Sequence, residues 1–190
     1  MSKAVFSHLE SPRILLRHFI DADLPSFMAY RNDPEVSKYQ SWESVNEREA
    51  RAFIQEQRIL QPGVPGKWFQ FAIELKGRLV GDCALKVNEQ DTRQAEIGFT
   101  LSREYQGKGL ALEAVSCVLN YAFINLGLHR VIAITDCENA PSVALLERLG
   151  LRREGHFIQN IWFKGKWGDE YLYAVLKGDW LQKPDKQSHE

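Results

Sequence analysis

The sequence predicts a mixed α/β protein: a mostly antiparallel central sheet of about seven strands, with helices on both faces. Three observations carry this. The middle of the chain alternates apolar and polar residues in "WFQFAIEL", "LVGDCALKV" and "QAEIGFTL", joined by connections too short for crossover helices. Helical patterns stand before and after these segments rather than between them. "RVIAITD" is apolar on both faces, as a strand at the centre of a sheet must be.

Each element has its own signal. Pro12 precedes "RILLRHF", a short apolar strand. Asp21 is read as the N-cap of a helix over "ADLPSFMAYRN", which stops near Asp33-Pro34. "SKYQSW" is read as irregular chain. Asn46 to about Leu60 forms a second helix, with Ala50, Phe53, Ile54 and Gln57 on one face, and "QPGVPG" ends it. The three-stranded meander follows, turning at Lys76-Gly77-Arg78 and at "NEQDTR". "ALEAVSCVLNYAF" is a helix whose only polar stripe is Glu113, Ser116 and Asn120, so it packs on the sheet. After "RVIAITD", "NAPSVALLERLG" is a short helix capped by Asn139, with Pro141 in its first turn and Gly150 as terminator. "RREGHFIQNIWF" and "DEYLYAVL" complete the chain as two strands around "KGKWG". The ends, "MSKAVFSHLE" and "QKPDKQSHE", read as loose.

A chain of 190 residues with no linker or repeat is read as a single domain, its core at about 11–180. The formal net charge of −1 gives no general reason to bind nucleic acid or an anionic membrane. No apolar run is long enough to span a bilayer, and the first residues lack the apolar core of a secretory signal. Cys83, Cys117 and Cys137 are odd in number and lie in apolar segments, so each reads as a small buried hydrophobe in a reducing cytoplasm. The five histidines show no metal-ligand spacing, and no metal is expected.

The chemistry starts at "YQGKGLA", a strand-to-helix turn. The first N–H groups of a helix lack intrahelical partners and carry partial positive charge. Glycines let backbone approach a bulky anion. Gln106, Gly107, Lys108, Gly109, Leu110 and Ala111 could therefore wrap a phosphate, with Lys108 adding charge; a plain turn is the alternative. A nucleotide P-loop would need Ser or Thr where Gly109 stands, and a dinucleotide fingerprint would need Gly where Leu112 stands.

"AEIGFTLSREYQGKGLALEAV" together with "LGLHRVIAITDCENAPSVALLERLGLRREG" closely resembles the GNAT superfamily of acetyl-CoA-dependent N-acetyltransferases, and most of all its ribosomal-protein N-terminal acetyltransferase (Rim-type) branch. The family's pyrophosphate signature is Gln or Arg, two variable residues, Gly, one variable residue, then Gly or Ala; Gln106, Gly109 and Ala111 match it. The resemblance runs from "SPRILLRHF" to "YLYAVLKGDW". It implies the GNAT fold, in which the fourth and fifth strands, "QAEIGFTL" and "RVIAITD", splay apart to admit the pantetheine arm of acetyl-CoA. Backbone groups of Phe99, Thr100 and Leu101 would pair with that arm, the 106–111 turn would hold the pyrophosphate, and Asn139 would contact pantetheine.

An attacking amine must be neutral, whereas a lysine-type amine with a pKa of ~10 is mostly protonated at pH 7, so a general base helps. Glu96 lies on the minority face of its strand beside the cofactor turn, and some GNAT enzymes use a glutamate at the matching position; a solvated or loop-orienting glutamate is the alternative. Many relatives protonate the departing thiolate with a tyrosine where this chain has Leu146. Ser142, at the start of the same helix, is the expected substitute, though it could be a cap alone. Cys137 would allow a covalent acetyl-cysteine, but its place in an apolar strand argues for packing, and direct transfer in a ternary complex is expected.

The family builds its acceptor wall after the first helix, so Tyr39 and Trp42 are pocket candidates, with Trp162 closing the other side. Aromatic walls suit a protein N-terminus, a small amine or an aminoglycoside ring equally, and no acidic cluster calls for a polycationic antibiotic. The chain is expected to act as a monomer or homodimer. The competing reading is a catalytically weak acyl-CoA-binding sensor with the same fold, suggested by the missing tyrosine.

Overall fold

A computed structural model describes residues 5–182. Eight strands form one sheet in the order β1-β2-β3-β4-β5-β6-β8-β7: β1 (His8–Glu10), β2 (Leu15–Arg17), β3 (Trp68–Leu75), β4 (Arg78–Val87), β5 (Gln94–Leu101), β6 (Arg130–Asp136), β7 (Arg152–Phe163) and β8 (Lys166–Leu176). Every neighbouring pair is antiparallel except β5 and β6. The helices are α1 (Leu24–Arg31), α2 (Pro34–Ser37), α3 (Glu47–Ile59), α4 (Leu110–Asn120), α5 (Ala140–Arg148) and α6 (Lys177–Leu181). None is long and apolar enough to cross a membrane.

Two cores lie on opposite faces of the sheet. The larger packs α4, through Leu110, Ala114, Val115, Val118 and Leu119, against Phe71, Cys83, Leu85 and Ile97. The smaller packs Phe27 and Tyr30 of α1 and Ala50 and Ile54 of α3 against Ala72 and Leu79. A reciprocal cap starts α3: Asn46 Oδ1 accepts the Glu49 N–H at 3.0 Å, and Glu49 Oε2 accepts the Asn46 N–H at 3.0 Å.

The structure corrects several expectations. The sheet has an eighth strand in the N-terminal stretch read as loose; Phe6 there is only 8% exposed, because the edge of β2 offers both a ladder and an apolar seat. Expectations about 1–4 and 183–190 fall outside the described residues. Asp21 does not cap α1. It starts a short 3-10 turn and binds Gln55 and Arg58 of α3, while Asp23 accepts the Ile20 N–H at 2.9 Å and pairs with Arg17. α2, not expected from the sequence, precedes the irregular stretch and shares only Ser37 with it: Asp33 caps it, accepting the Glu35 N–H at 3.0 Å, and Pro34 occupies its first position. Only Cys83 is fully buried; Cys117 and Cys137 are half-buried, and Cys137 lies in the turn just beyond β6.

The feature that positions the site is a split in the sheet. β5 and β6 pair only where Gln94, Ala95 and Glu96 meet Arg130, Val131 and Ile132. Beyond that level β5 continues to Leu101 on β4 alone, and β6 continues to Asp136 on β8 alone. One backbone edge of each strand is left without a strand partner, and a wedge opens between them.

Candidate active site

Two clefts meet at this wedge. The larger, of about 740 Å³, runs from Phe99, Thr100 and Leu101 past Gln106, Gly107 and Gly109 to Leu110, Ala111 and Leu112, with Arg103, Arg148 and Lys38 on its rim. The smaller, of about 330 Å³, lies between β5, β6 and the β7–β8 hairpin and contains Glu96, Asp136 and Glu170. Tyr39, Gln40, Phe99, Asn139 and Ser142 line both, so the clefts are continuous.

The turn into α4 has the geometry of an anion cradle. Gly107 has φ +71° and Gly109, the residue that caps α4, has φ +77°. Both conformations are costly for any residue with a Cβ. The first backbone N–H in this segment to find a helical acceptor is that of Glu113, donating to the Gly109 carbonyl at 3.1 Å. The N–H groups of Leu110, Ala111 and Leu112 precede it and have no place in the helix ladder. The turn is braced from behind. Arg13 Nη1 donates to the Lys108 carbonyl at 2.9 Å, and Arg13 Nε to Glu113 Oε2 at 2.6 Å. The Arg13 N–H and the Ser11 hydroxyl both donate to Glu113 Oε1. Burial opposes ionisation of Glu113, but these bonds outweigh it and hold the carboxyl below its ordinary range.

Gln106 takes part differently from expectation: its Nε2 donates to the Leu101 carbonyl at 2.9 Å, locking the end of β5 rather than facing the cleft with a free amide. Lys108 does not line the cleft; its ammonium lies 5.5 Å from the centre of the Tyr105 ring.

In the smaller cleft, Glu96 faces its register partner Lys86 at 3.8 Å, with its side chain 29% exposed. Burial is the largest influence on its carboxyl and raises it above the ordinary glutamate range; Lys86 opposes this and Glu170 adds to it. Asn139 Oδ1 accepts the Ser142 N–H at 3.3 Å, which caps α5 with the backbone of Ser142 and not with its hydroxyl. Leu146, one turn further on, is 1% exposed and also borders this cleft.

Tyr39 stands at the junction, its hydroxyl donating to the Glu138 carbonyl at 3.1 Å. Trp42 and Trp162 line neither cleft. Trp42 stacks on the Arg31 guanidinium, 3.7 Å from its carbon to the ring centre, and donates to the Arg31 carbonyl. Trp162 is 60% exposed and meets Trp167 edge to face across the hairpin; strand alternation turns Ile161 and Phe163 into the cleft instead. Cys137 lines neither cleft.

Comparison with known proteins agrees with this geometry. Residues 13–152 match the acetyltransferase (GNAT) domain family. The chain belongs to the GNAT family of N-acetyltransferases. It is 33% identical over 174 residues to the uncharacterized N-acetyltransferase YnaD of Bacillus subtilis, covering 91% of this chain and 99% of that one. A GNAT-family acetyltransferase of Bacillus anthracis superposes with a TM-score of 0.79 at 32% identity, over 90% of this chain and 99% of the other. RimL, a ribosomal L7/L12 alpha-N-protein acetyltransferase solved with coenzyme A, has a TM-score of 0.79 over 90% of this chain and 98% of its own. At 19% identity that likeness is one of fold.

The sequence reading named Gln106, Gly107, Gly109, Glu96, Asn139 and Ser142, all of which line the clefts. It missed Arg103, Arg148, Asp136 and Glu170, which reach the clefts from four separate elements or turns. It also read the chain as lacking an acidic cluster, because carboxylates at 96, 136 and 170 become neighbours only across the split sheet.

Proposed function

We propose that this chain transfers the acetyl group of acetyl-CoA to a primary amine by direct attack in a ternary complex. The observation that carries the proposal is the continuity of a phosphate-type cradle with a carboxylate-bearing cleft through the wedge between β5 and β6. The residues fit the co-substrate. Three unladdered N–H groups and two left-handed glycines suit a pyrophosphate, and the rim cations Arg103, Arg148 and Lys38 suit the remaining phosphate. The open edge of β5 from Phe99 to Leu101 suits the amide groups of pantetheine.

Acetyl-CoA supplies an activated acyl group as a thioester. Glu96 takes the proton from the amine, directly or through a water, as the nitrogen forms its bond to the acetyl carbon. The carbon–sulfur bond breaks, and the Ser142 hydroxyl, at the positive end of α5, donates to the departing thiolate. The three free cysteines suit a reducing cytoplasm.

The test is a thermal-shift titration with acetyl-CoA, CoA, ATP and NAD, followed by thiol release over a panel of amines. A ligand that binds only the native state raises the melting temperature. Stabilisation by CoA species alone, with thiol release, supports the proposal; stabilisation by none of them removes it. Stabilisation by CoA species without thiol release from any amine favours the sensor reading, for which the buried Leu146 speaks.

Two substitutions probe the halves of the site. Gly109→Ala forces a Cβ into a left-handed position, at a cost of roughly 1–2 kcal/mol. Its Cβ would also stand 3.4 Å from Arg13 Nη2. Relief by rotation of the turn disperses the cradle, so acetyl-CoA affinity measured by calorimetry is expected to fall about tenfold. Ser142→Ala keeps the backbone cap to Asn139 and removes only the hydroxyl. It is expected to lower kcat roughly 10- to 100-fold, the scale of a hydrogen bond to a charged group, with acetyl-CoA affinity unchanged.

A further inference from the structure

We propose that Glu170 is the specificity determinant for the acceptor: it holds a second positive charge on the substrate, so the preferred acceptor is a small dicationic amine rather than a monoamine or a neutral peptide N-terminus. This rests on the acetyl-transfer reading above and adds the substrate class to it.

Glu170 lies on β8 directly across the ladder from Asp136 of β6, and both side chains border the cleft that contains Glu96. Like charges facing each other across a ladder are unfavourable unless a cation lies between them. Among the described residues, neither Glu170 nor Asp136 makes an ion pair. The nearby cations are engaged elsewhere. Lys164, at the hairpin turn, donates to the Ser37 carbonyl, Lys166 pairs with Glu138 at 3.1 Å, and the Arg153 guanidinium lies over the Tyr171 ring at 4.5 Å. Lys86 is shared between Glu96 and the face of Trp68. The cleft is thus left with a surplus of negative charge, in a site whose substrate is an amine.

Glu170 is also held in place. Between Phe157 and Ile161 the ladder of β7 on β8 shifts register, and Gln159 there has φ +48°. Asp169 Oδ1 secures the bulge by accepting the Gln159 N–H at 2.8 Å, and Asn160 Nδ2 donates to Glu170 Oε2 at 2.6 Å. The bulge fixes one carboxylate oxygen and leaves the other available to a ligand. Part of the wall is apolar, with Ile97, Phe99, Ala133, Ile134, Ile161 and Phe163, and part is polar, with Gln40, Ser41, Thr135 and Ser142. An alkyl chain with a charge at its far end can follow the apolar part of this wall to Glu170; a monoamine or a peptide amide brings no second charge to it.

The test compares 1,4-diaminobutane, butylamine and alanyl-glycyl-glycine amide as acceptors in thiol-release kinetics, with wild type, Glu170→Gln and Asn160→Ala. In the wild type, kcat/KM for the diamine is expected to exceed that for butylamine by roughly 10- to 100-fold, the scale of a charged hydrogen bond, mostly through KM. Glu170→Gln keeps an oxygen for Asn160 but loses the charge, and the preference should collapse toward parity. Asn160→Ala should give an intermediate ratio. A purely structural role for Glu170 would lower both amines alike and preserve the ratio. The inference is overturned if butylamine or the peptide amide is used as well as the diamine, or if the preference survives in Glu170→Gln; either result leaves the acetyltransferase reading intact. Absence of thiol release with all three acceptors, despite acetyl-CoA binding, overturns the inference and counts against the transfer reading itself.

Discussion

Glu96→Gln is expected to reduce kcat/KM by about 10²- to 10⁴-fold, the range a positioned general base contributes, while acetyl-CoA affinity stays at the wild-type value. The substitution is nearly isosteric, so the ladder of β5 on β4 and the wedge beside it persist. The pH dependence distinguishes a base from a bystander. Burial, with Glu170 adding and Lys86 opposing, holds the Glu96 carboxyl above the ordinary glutamate range. In the wild type kcat/KM should therefore rise with pH through a limb lying above that range. The glutamine variant should lose this limb and keep only the rise due to deprotonation of the amine. Lys86→Met removes the group that favours the ionised form, so the limb should move to higher pH. The stability effect has a definite sign. A carboxyl that binds its proton more tightly in the folded than in the unfolded state opposes folding at pH values above its folded pKa, and the penalty fades as pH falls through it. Glu96→Gln should thus leave the melting temperature at pH 7 unchanged or slightly raised. A lowered melting temperature together with a proportionate fall in acetyl-CoA binding would assign Glu96 a structural role instead.

What the sequence disclosed follows the range of the interactions concerned. The path from β5 through the turn to α4 was legible because every part of it is local: period-2 alternation, two glycines where the backbone has positive φ, then an apolar helix. The central place of β6 was legible as well, but not that its Ile134 would be 39% exposed; that follows from the split, which no local pattern encodes. The tryptophans show the opposite case. Composition says that a tryptophan seeks a surface, not which one, and Trp42 found a guanidinium eleven residues before it in the chain. Trp162 went to the outer face of its hairpin through simple alternation, which its neighbours Ile161 and Phe163 could have indicated. Asp33-Pro34 was read only as the end of α1, although a cap followed by a first-turn proline is also the start of α2. The bulge at Gln159 had no such signal, because a glutamine at positive φ is imposed by its surroundings and not by its own preference. Glu170 depends on that bulge and on a cross-strand partner, and for that reason only the structure brings it into the site.

Asp82→Ala should destabilise the fold by about 3–5 kcal/mol, the cost of removing one partner from a buried ion pair. For a chain of this size that corresponds to a fall in melting temperature of roughly 6–20 °C. Asp82 is 2% exposed, and its Oδ2 accepts both the Tyr30 hydroxyl, at 2.5 Å, and Arg31 Nη2, at 3.1 Å. Burial, with the charge of Asp82 adding to it, pushes the Tyr30 hydroxyl well above the ordinary tyrosine range, so it remains a donor. The Arg31 guanidinium is enclosed by Trp42, Phe27, Phe53 and Tyr30, and its Nε has no hydrogen-bond partner. Among the described residues Asp82 is its one carboxylate partner, and without it a positive charge is left in a ring of aromatic faces. Arg31→Met combined with Asp82→Leu removes both charges and should recover much of the loss, a strongly non-additive pair. The site should feel the same change. Arg31 is the platform for Trp42, and the chain from α1 to Trp42 carries α2 and Tyr39, whose ring stands where the two clefts meet. With Asp82 gone, that wall loses its anchor on β4, whereas the cradle at Gly107 and Gly109 is braced separately by Arg13 and Glu113. In Asp82→Ala protein assayed below its melting transition, KM for the amine should rise while acetyl-CoA affinity is retained. Equal losses of both would mean that the two clefts depend on one anchor, and the separate bracing of the cradle would be wrong.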